Sequence, residues 1–396
     1  MRTKTFVAGD ILIPKTGLAQ WSVVACDQFT SDPAYWQASA EAAGDMPSAL
    51  NIIFPEVFLG KVNFDEKIAH INAAMNRYLS EDIFDCYKNS MIYLERTLGN
   101  GTLRRGIVGL IDLEQYDYSV DSSSLVRATE GTVLDRIPPR VRIRQNASLE
   151  SPHVMVLLDD PDKEIIEPLS ARKDSLRKVY DFDLMLGGGH STGYLLEGED
   201  CRSITQALAG RTLAVGDGNH SLATAKECYR QNPTPQTRYA LVELCNLHDD
   251  SLVFEPIHRA VFDVDSAAFL AALESYCAHA QGDAPPQSFT VVTAAGERQL
   301  TIAAPEEALA VGSVQKFLDS YIGSRGGSVD YIHGEAEARM LTKGGAVAIL
   351  LDVMEKSQLL PAVIRDGVLP RKTFSMGEAR DKRYYLECRR LSENHK

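Results

Sequence analysis

The sequence predicts an α+β or mixed α/β fold built on mixed sheets. Helical and strand-like periodicities are interleaved along the chain without a strict βαβ rhythm. The composition is that of a folded globular protein, 44% hydrophobic and 24% charged over 396 residues. An apolar run at 213–215 breaks into Gly216-Asp217-Gly218-Asn219-His220, and a helix-forming segment starts at or near Ser221. A chain of 396 residues is expected to form two or three domains, or one large elaborated one. The pattern divides it into an N-terminal α/β region (1–125), a core region with the polar turn (126–280) and a C-terminal α/β region (288–396). The QGDAPPQ stretch at 281–287 serves as the linker.

Element by element, the N-terminus MRTKTFVAGDILIP lacks a long apolar core and does not read as a signal peptide. Segment 64–79 places Ile68, Ile71, Met75 and Tyr78 at helical spacing. Segments 91–94 and 106–113 read as strands. Arg140, Arg142 and Arg144 alternate with period two, which predicts a strand with the three arginines on one face and Pro138-Pro139 fixing its start. Further along, 154–158 reads as a strand, 170–180 as a helix and 194–196 as strand-like. Segment 289–303 reads as a hairpin turning near 295–297. Segments 314–322 and 335–341 read as helices, 346–352 as a strand and 383–388 as a final strand. The apolar run at 346–354 is short and contains Asp352, so it does not read as a membrane span.

The net charge of −13 argues against general nucleic-acid or anionic-membrane binding. The seven cysteines are scattered and form no C-x-x-C pair, which fits a reducing cytoplasm and implies neither a disulfide framework nor a zinc site. Two segments run against the overall charge: 127–144 carries a net +3 and 365–390 a net +4. Such islands imply either ion-paired surface or a pocket for an anionic ligand.

The turn at 216–221 is the strongest site candidate. Gly216 and Gly218 permit close approach of backbone to a ligand, and a helix N-terminus beginning at Ser221 as N-cap is a ready anion site. A plain turn needs the glycines but not the added carboxylate, amide, imidazole and hydroxyl, and such polar clustering on a loop is typical of sites. Asp217 is the candidate for holding Mg²⁺ or accepting a substrate proton, and His220 for general base, with Glu130 and Glu255 in reserve. Candidates for binding phosphate or nucleotide are Gly216, Gly218, Asn219, Ser221, Arg127, Arg140, Arg144, His258, Arg259, Arg371 and Lys372. Lys226 follows about one turn into the helix, and His333 lies in a further polar stretch. Gly189-His190-Ser191-Thr192-Gly193 fits a hydrolase nucleophile elbow, but a strand and turn, not a helix, follow it. Gly216 to Ser221 is a degenerate dinucleotide fingerprint without a βαβ context, and there is no Walker-A loop. His248-Asp249-Asp250 reads as a loop with an exposed histidine rather than a metal site.

Over nearly its full length the chain resembles the family known as domain of unknown function 1015. The stretches that carry the resemblance are WSVVACDQFTSDPAY (21–35), IDLEQY (111–116), RATEGTVLDRIPPRVRIR (127–144), GDGNHSLATAK (216–226), FEPIHR (254–259), DYIHGE (330–335) and LPRKTFSMGEA (369–379). The wider family often has D-G-H-H-R-Y where this chain has Asp217 to Leu222. That form is similar to the nucleotide loop of the ParB and sulfiredoxin superfamily, which includes a free serine kinase. Here Ser221 stands in place of the motif's arginine. The resemblance implies ATP or ADP as co-substrate, Mg²⁺, and a small anionic metabolite as the other partner. The expected activity is that of a cytoplasmic phosphotransferase, in its preferred form a nucleotide-dependent kinase of free serine or a similar hydroxy acid. The alternatives are a metal-assisted phosphatase of the phosphorylated acid and a non-catalytic nucleotide sensor. Oligomeric state is not legible.

Overall fold

The computed structural model describes residues 3–151 and 154–392, which divide into two compact units, Met1–Leu252 with Glu378–Lys396 and Val253–Gly377. The 281–287 segment lies inside the second unit. Among the described residues no helix is long and apolar enough to cross a membrane.

The first unit begins with β1 (Phe6–Val7), β2 (Gly9–Pro14), α1 (Leu18–Trp21), α2 (Pro33–Ala43), α3 (Phe64–Ser80), β3 (Phe84–Thr97) and β4 (Leu103–Asp112). It continues through β5 (Tyr116–Asp117), β6 (Val126–Ala128), α4 (Ile137–Arg144), β7 (Leu149–Glu150), β8 (Met155–Leu158), α5 (Pro168–Ala171), β9 (Lys178–Asp183) and β10 (His190–Leu196). α6 (Glu199–Leu208), β11 (Leu213–Asp217), α7 (Asn219–Gln231) and β12 (Tyr239–Asn246) complete the series. Its main sheet has the order β5-β6-β11-β8-β12-β4-β3-β10-β9, with β1 on β4 and β2 on β3. β6 runs parallel to β5 and β11, β12 runs parallel to β8, and the other pairs are antiparallel, so the unit is mixed α/β.

Both sheet faces are covered. On one, Leu222 and Ala225 of α7 and Ile204 and Leu208 of α6 pack against Val156, Val215, Val242 and Leu244. On the other, Trp21 meets Tyr78 of α3 and Phe84 of β3, at 5.7 and 5.4 Å between ring centroids. α3 forms as its apolar spacing predicts: Ile68, Ile71, Met75 and Tyr78 are its buried residues, and the Asn63 side chain caps it by accepting the Glu66 N–H. A charged layer lies beneath this second core. Glu243 is buried, with Arg104 Nε 3.3 Å away and Arg383 Nη1 donating to it at 2.8 Å. Arg383 also donates to Glu387 at 2.8 Å, and Tyr180 donates to Glu387 at 2.6 Å. Gly106 makes room for this: a Cβ there would fall 2.8 Å from Glu243 Oε1.

The second unit comprises β13 (Phe254–Phe262), α8 (Ser266–His279), β14 (Gln287–Thr293), β15 (Gly296–Ile302), α9 (Ala310–Arg325), β16 (Ser328–His333), α10 (Glu335–Thr342), β17 (Val347–Leu350), α11 (Leu359–Asp366) and β18 (Phe374–Met376). Its sheet, β15-β14-β17-β13-β16 with β18 on β13, is antiparallel throughout. Phe269, Phe317 and Tyr321 form an aromatic cluster between α8 and α9. The predicted hairpin is present as β14–β15. The chain then returns to the first unit, where β19 (Arg389–Arg390) pairs with β7.

Four local expectations are corrected. Residues 140–144 belong to helix α4, not a strand. Pro138 and Pro139 sit in its first turn, where a missing N–H costs nothing, and Ile137 and Val141 share the buried face. Segment 170–180 is not a helix: α5 ends at Ala171, a 3₁₀ turn covers Lys173–Ser175 and β9 follows. Segment 383–388 is extended but joins the sheets only through bridges Val24↔Tyr384 and Leu12↔Cys388. α7 starts at Asn219, directly after its N-cap Gly218, so Ser221 is inside the helix and is not its cap.

Candidate functional site

β6 and β11 run side by side in the same direction, so the segments leaving their C-terminal ends, 129–133 and 217–220, lie together. The sheet is irregular here, with a register shift between Val215 and Asp217 opposite β8. At Gly216 a Cβ would meet Leu157 at 2.8 Å, and Gly218 adopts φ +83° to begin α7. Being glycine, Gly218 offers no capping side chain, so the positive end of the helix is left for other groups. Asp217 supplies one: its Oδ1 accepts the Gly218 N–H at 2.9 Å. Its other oxygen, Oδ2, is buried and has no hydrogen-bond partner. Lys382 Nζ lies 3.7 Å from that oxygen.

The 129–133 segment is fastened to the turn at several points. Thr129 Oγ1 donates to the Val215 carbonyl at 2.6 Å, and its N–H donates to Asn219 Oδ1 at 3.3 Å. The Val133 N–H donates to His220 Nε2 at 3.2 Å, so that nitrogen is an acceptor already in use. Glu130 lies on this segment, half-buried, and Thr132 Oγ1 is buried without a hydrogen-bond partner. Arg127, on β6, donates Nε to the Ser124 carbonyl at 3.0 Å.

α4 packs beside α7, and Arg140, Arg144 and Ser221 line one cavity of about 170 Å³. The arginines are not spare cations. Arg140 pairs with Glu56, Arg142 with Asp65, and Arg144 with Glu150, whose other oxygen takes Arg389 at 2.8 Å. Burial pushes the Glu150 carboxyl up, but Arg144 and Arg389 outweigh this and hold it below its ordinary range. The rest of the cavity is largely apolar, with Ile52, Phe54, Met75, Ile143 and Leu241 among its walls. Lys226 donates to the Leu113 carbonyl at 2.6 Å, and His248 pairs with Asp159 at 2.7 Å.

The remaining candidates belong to the second unit. Glu255 is exposed on β13 opposite Ser375. The segment around it is continuous strand. His258 is buried, and its Nδ1 accepts the Leu351 N–H at 3.2 Å. Arg259 is buried and its guanidinium is held by backbone carbonyls, while Arg371 and Lys372 are exposed.

Lys382 is the residue the sequence reading passed over. Its signal was present in the net +4 of 365–390, but no spacing singles it out. It is placed by buried Arg96, which donates to the carbonyls of Gly188, Arg380 and Lys382 and lies over the Tyr384 ring at 4.8 Å. Among the described residues no group of three or more His, Cys, Asp or Glu side chains is arranged to hold a metal ion. Asp217 alone still fits Mg²⁺ carried by a nucleotide, since that ion is commonly bound by one or two carboxylates and otherwise by phosphate and water.

Fold and turn together define a mixed α/β protein with a glycine-flanked acidic turn at a helix N-terminus. The chain belongs to the family described as protein of unknown function (DUF1015), whose profile matches residues 10–321. Among curated proteins there is no significant sequence match. Similar solved structures include a conserved hypothetical protein from Pyrococcus furiosus, at 12% identity and TM-score 0.36 over 71% of this chain and 94% of that one. A free serine kinase in complex with AMP is similar at 13% identity and TM-score 0.38 over 70% and 90%. SbnI from Staphylococcus aureus, truncated at its C-terminus, is similar at 11% identity and TM-score 0.37 over 68% and 82%. At TM-scores this low, none of the three carries an argument about activity.

Proposed function

We propose that the protein is a phosphotransferase acting on a small polar metabolite, in its preferred form a nucleotide-dependent kinase of free serine or a similar hydroxy acid. The observation that carries this reading is Asp217. One oxygen is fixed by the Gly218 N–H, and the other is buried, unpartnered in hydrogen bonding and faced by Lys382. An unsatisfied buried carboxylate oxygen is costly unless a ligand completes it. A substrate hydroxyl donating to Oδ2 would complete it; as its oxygen bonds to the terminal phosphorus of the nucleotide, the proton would pass to Oδ2 and the P–O bond to the departing nucleotide would break, its electron pair leaving with that nucleotide. The positive end of α7 and the Lys382 ammonium then offset charge on the transferred phosphoryl group. Mg²⁺, when bound with ATP or ADP, would screen the phosphate chain; were Asp217 to hold that ion, Glu130 would take the substrate proton instead.

In this reading His220 acts through position, since its Nε2 holds the 129–133 segment and is not free to take a proton. Glu130 is the second carboxylate of the site. The imidazole of His220, occupied by the Val133 N–H, also supports a second reading, a nucleotide sensor that binds without turnover. Phosphorus NMR of the protein with ATP or ADP, Mg²⁺ and a panel of hydroxy acids distinguishes the two. Asp217→Asn keeps the bond to Gly218 and should cut turnover roughly a hundredfold or more with little change in melting temperature. Turnover at the wild-type level in Asp217→Asn would overturn the assignment.

A further inference from the structure

The turn preceding β18 has no part in the proposed reaction. β18 lies against the start of β13, with Phe374 stacked on Phe254 at 4.3 Å between ring centroids. The turn closes on itself, because Thr373 Oγ1 donates to the Pro370 carbonyl at 2.6 Å. Lys372 holds φ +58°, the left-handed region that a non-glycine residue occupies at a cost. Behind it lies Arg259, 0% exposed. Arg259 donates Nη1 to the Lys372 carbonyl at 3.0 Å and Nη2 to the Arg371 carbonyl at 3.4 Å, and it lies 5.0 Å over the Tyr331 ring. Among the described residues it pairs with no carboxylate, and burial alone lowers its pKa to about 10. The carbonyls of 371 and 372 therefore face the buried cation, while the side chains of Arg371 and Lys372 are exposed and, among the described residues, have no acid partner.

Folding does not demand this arrangement. A glycine at 372 would relieve the backbone, and a carboxylate beside Arg259 would neutralise it. Two exposed cations of the turn, Arg371 and Lys372, instead stand over a third, the buried Arg259 of β13, and among the described residues none of the three has an acid partner, in a protein whose net charge is −13. We propose that residues 370–373 are an anion site of the second unit: Arg371 and Lys372 grip a phosphate chain, and Arg259 is the positioning residue that shapes the turn. The site stands independently of the Asp217 reading. Its ligand is recognised through phosphate, whether that phosphate belongs to a nucleotide or to another metabolite.

The test is hydrogen exchange of the full-length protein with and without tripolyphosphate, followed in peptides covering 368–377 and 213–222. Protection of 368–377 is expected, and ATP should protect it equally. Arg371→Ala and Lys372→Gly should each weaken tripolyphosphate binding about tenfold. Lys372→Gly should do so while holding or raising the melting temperature, which separates binding from folding. Arg259→Lys keeps the charge but loses the fork, and it should weaken binding with Arg371 and Lys372 intact. No protection at 368–377, protection by ATP but not tripolyphosphate, equal protection by chloride at matched ionic strength, or unchanged affinity in Lys372→Gly would each overturn the proposal. Protection at 368–377 without any at 213–222 would support it while removing the Asp217 site from phosphate binding.

Discussion

Both units bury charge, and they neutralise it by different means. In the first, Arg383 at 4% exposure sits between Glu243 and Glu387, both fully buried, so cation and anion alternate through the core. In the second, among the described residues buried Arg259 meets backbone carbonyls, the Gln315 side-chain amide oxygen and one aromatic face but no carboxylate, and its neighbour His258 is held in a site that favours the neutral ring. Opposite charges repay each other's desolvation only as a pair, so losing either partner strands the other. Dipoles repay less, but no single residue carries the compensation. The first arrangement should therefore be the more brittle, and the second the more tolerant of substitution.

The largest effect expected follows from Glu243. Burial pushes its carboxyl up, but Arg104 and Arg383 outweigh this and hold it at about 2, against an ordinary 4.5. Its stabilisation is present above the unfolded value and is lost as pH falls from 4.5 towards 2. Glu243→Gln leaves two guanidinium groups facing a neutral amide and should cost about 3–5 kcal/mol. Urea unfolding followed by tryptophan fluorescence measures this in the first unit, because both tryptophans, Trp21 and Trp36, belong to it. The variant should also lose the acid sensitivity of the wild type in that pH range. A small loss of stability with an unchanged acid limb would show that Arg104 and Arg383 are compensated by other groups.

Arg259→Met should cost less, about 1–3 kcal/mol, because it removes donors from three backbone carbonyls and the Gln315 amide oxygen without stranding a charge. Exchange should quicken first at the amides of 371–376. An effect as large as that of Glu243→Gln would erase the distinction between the two units.

How far the sequence foretold this depends on whether the deciding contact was local. α3 was legible because one stripe of apolar residues meets the core and its cap lies three residues from its partner. The 216–220 turn was legible because glycine spacing and polar residues coincide within one segment. α4 was misread because Arg-Val-Arg-Ile-Arg fits period two as well as the four-residue spacing of Ile137 and Val141. The acids that neutralise its arginines, Glu56, Asp65 and Glu150, lie on other elements. Lys382 was overlooked for a similar reason: its position is set by Arg96, separated from it by 286 residues. The setting of Arg259 is equally non-local: its partner carbonyl lies 113 residues away and its side chain is fully buried.

The smallest effect expected separates the units by the sign of their response to pH. His258 has a lowered pKa because burial disfavours the imidazolium, and the arginines at 259 and 339 add to this against Glu335. At His258 the folded second unit thus binds fewer protons than its unfolded chain, and the stability this group contributes is lost as pH falls below the ordinary histidine value. His190, at the β9–β10 edge, is the opposite case. Its pKa is raised by hydrogen bonding to Asp183, against desolvation, with Asp181 adding to the rise. Its ring nitrogens lie 2.7 Å from each of these carboxylates. That contribution is present below the unfolded value and disappears as pH rises through the folded one. Acidification from about pH 7.5 to about 5.5, across the ordinary histidine pKa, should lower exchange protection at Leu351 and raise it along β9 and β10. In His258→Asn the amide oxygen can replace Nδ1 as acceptor of the Leu351 N–H without titrating, so protection at Leu351 should become flat across that range while the hairpin response persists. The same loss at Leu351 in wild type and His258→Asn would assign the acid sensitivity of the second unit to another group.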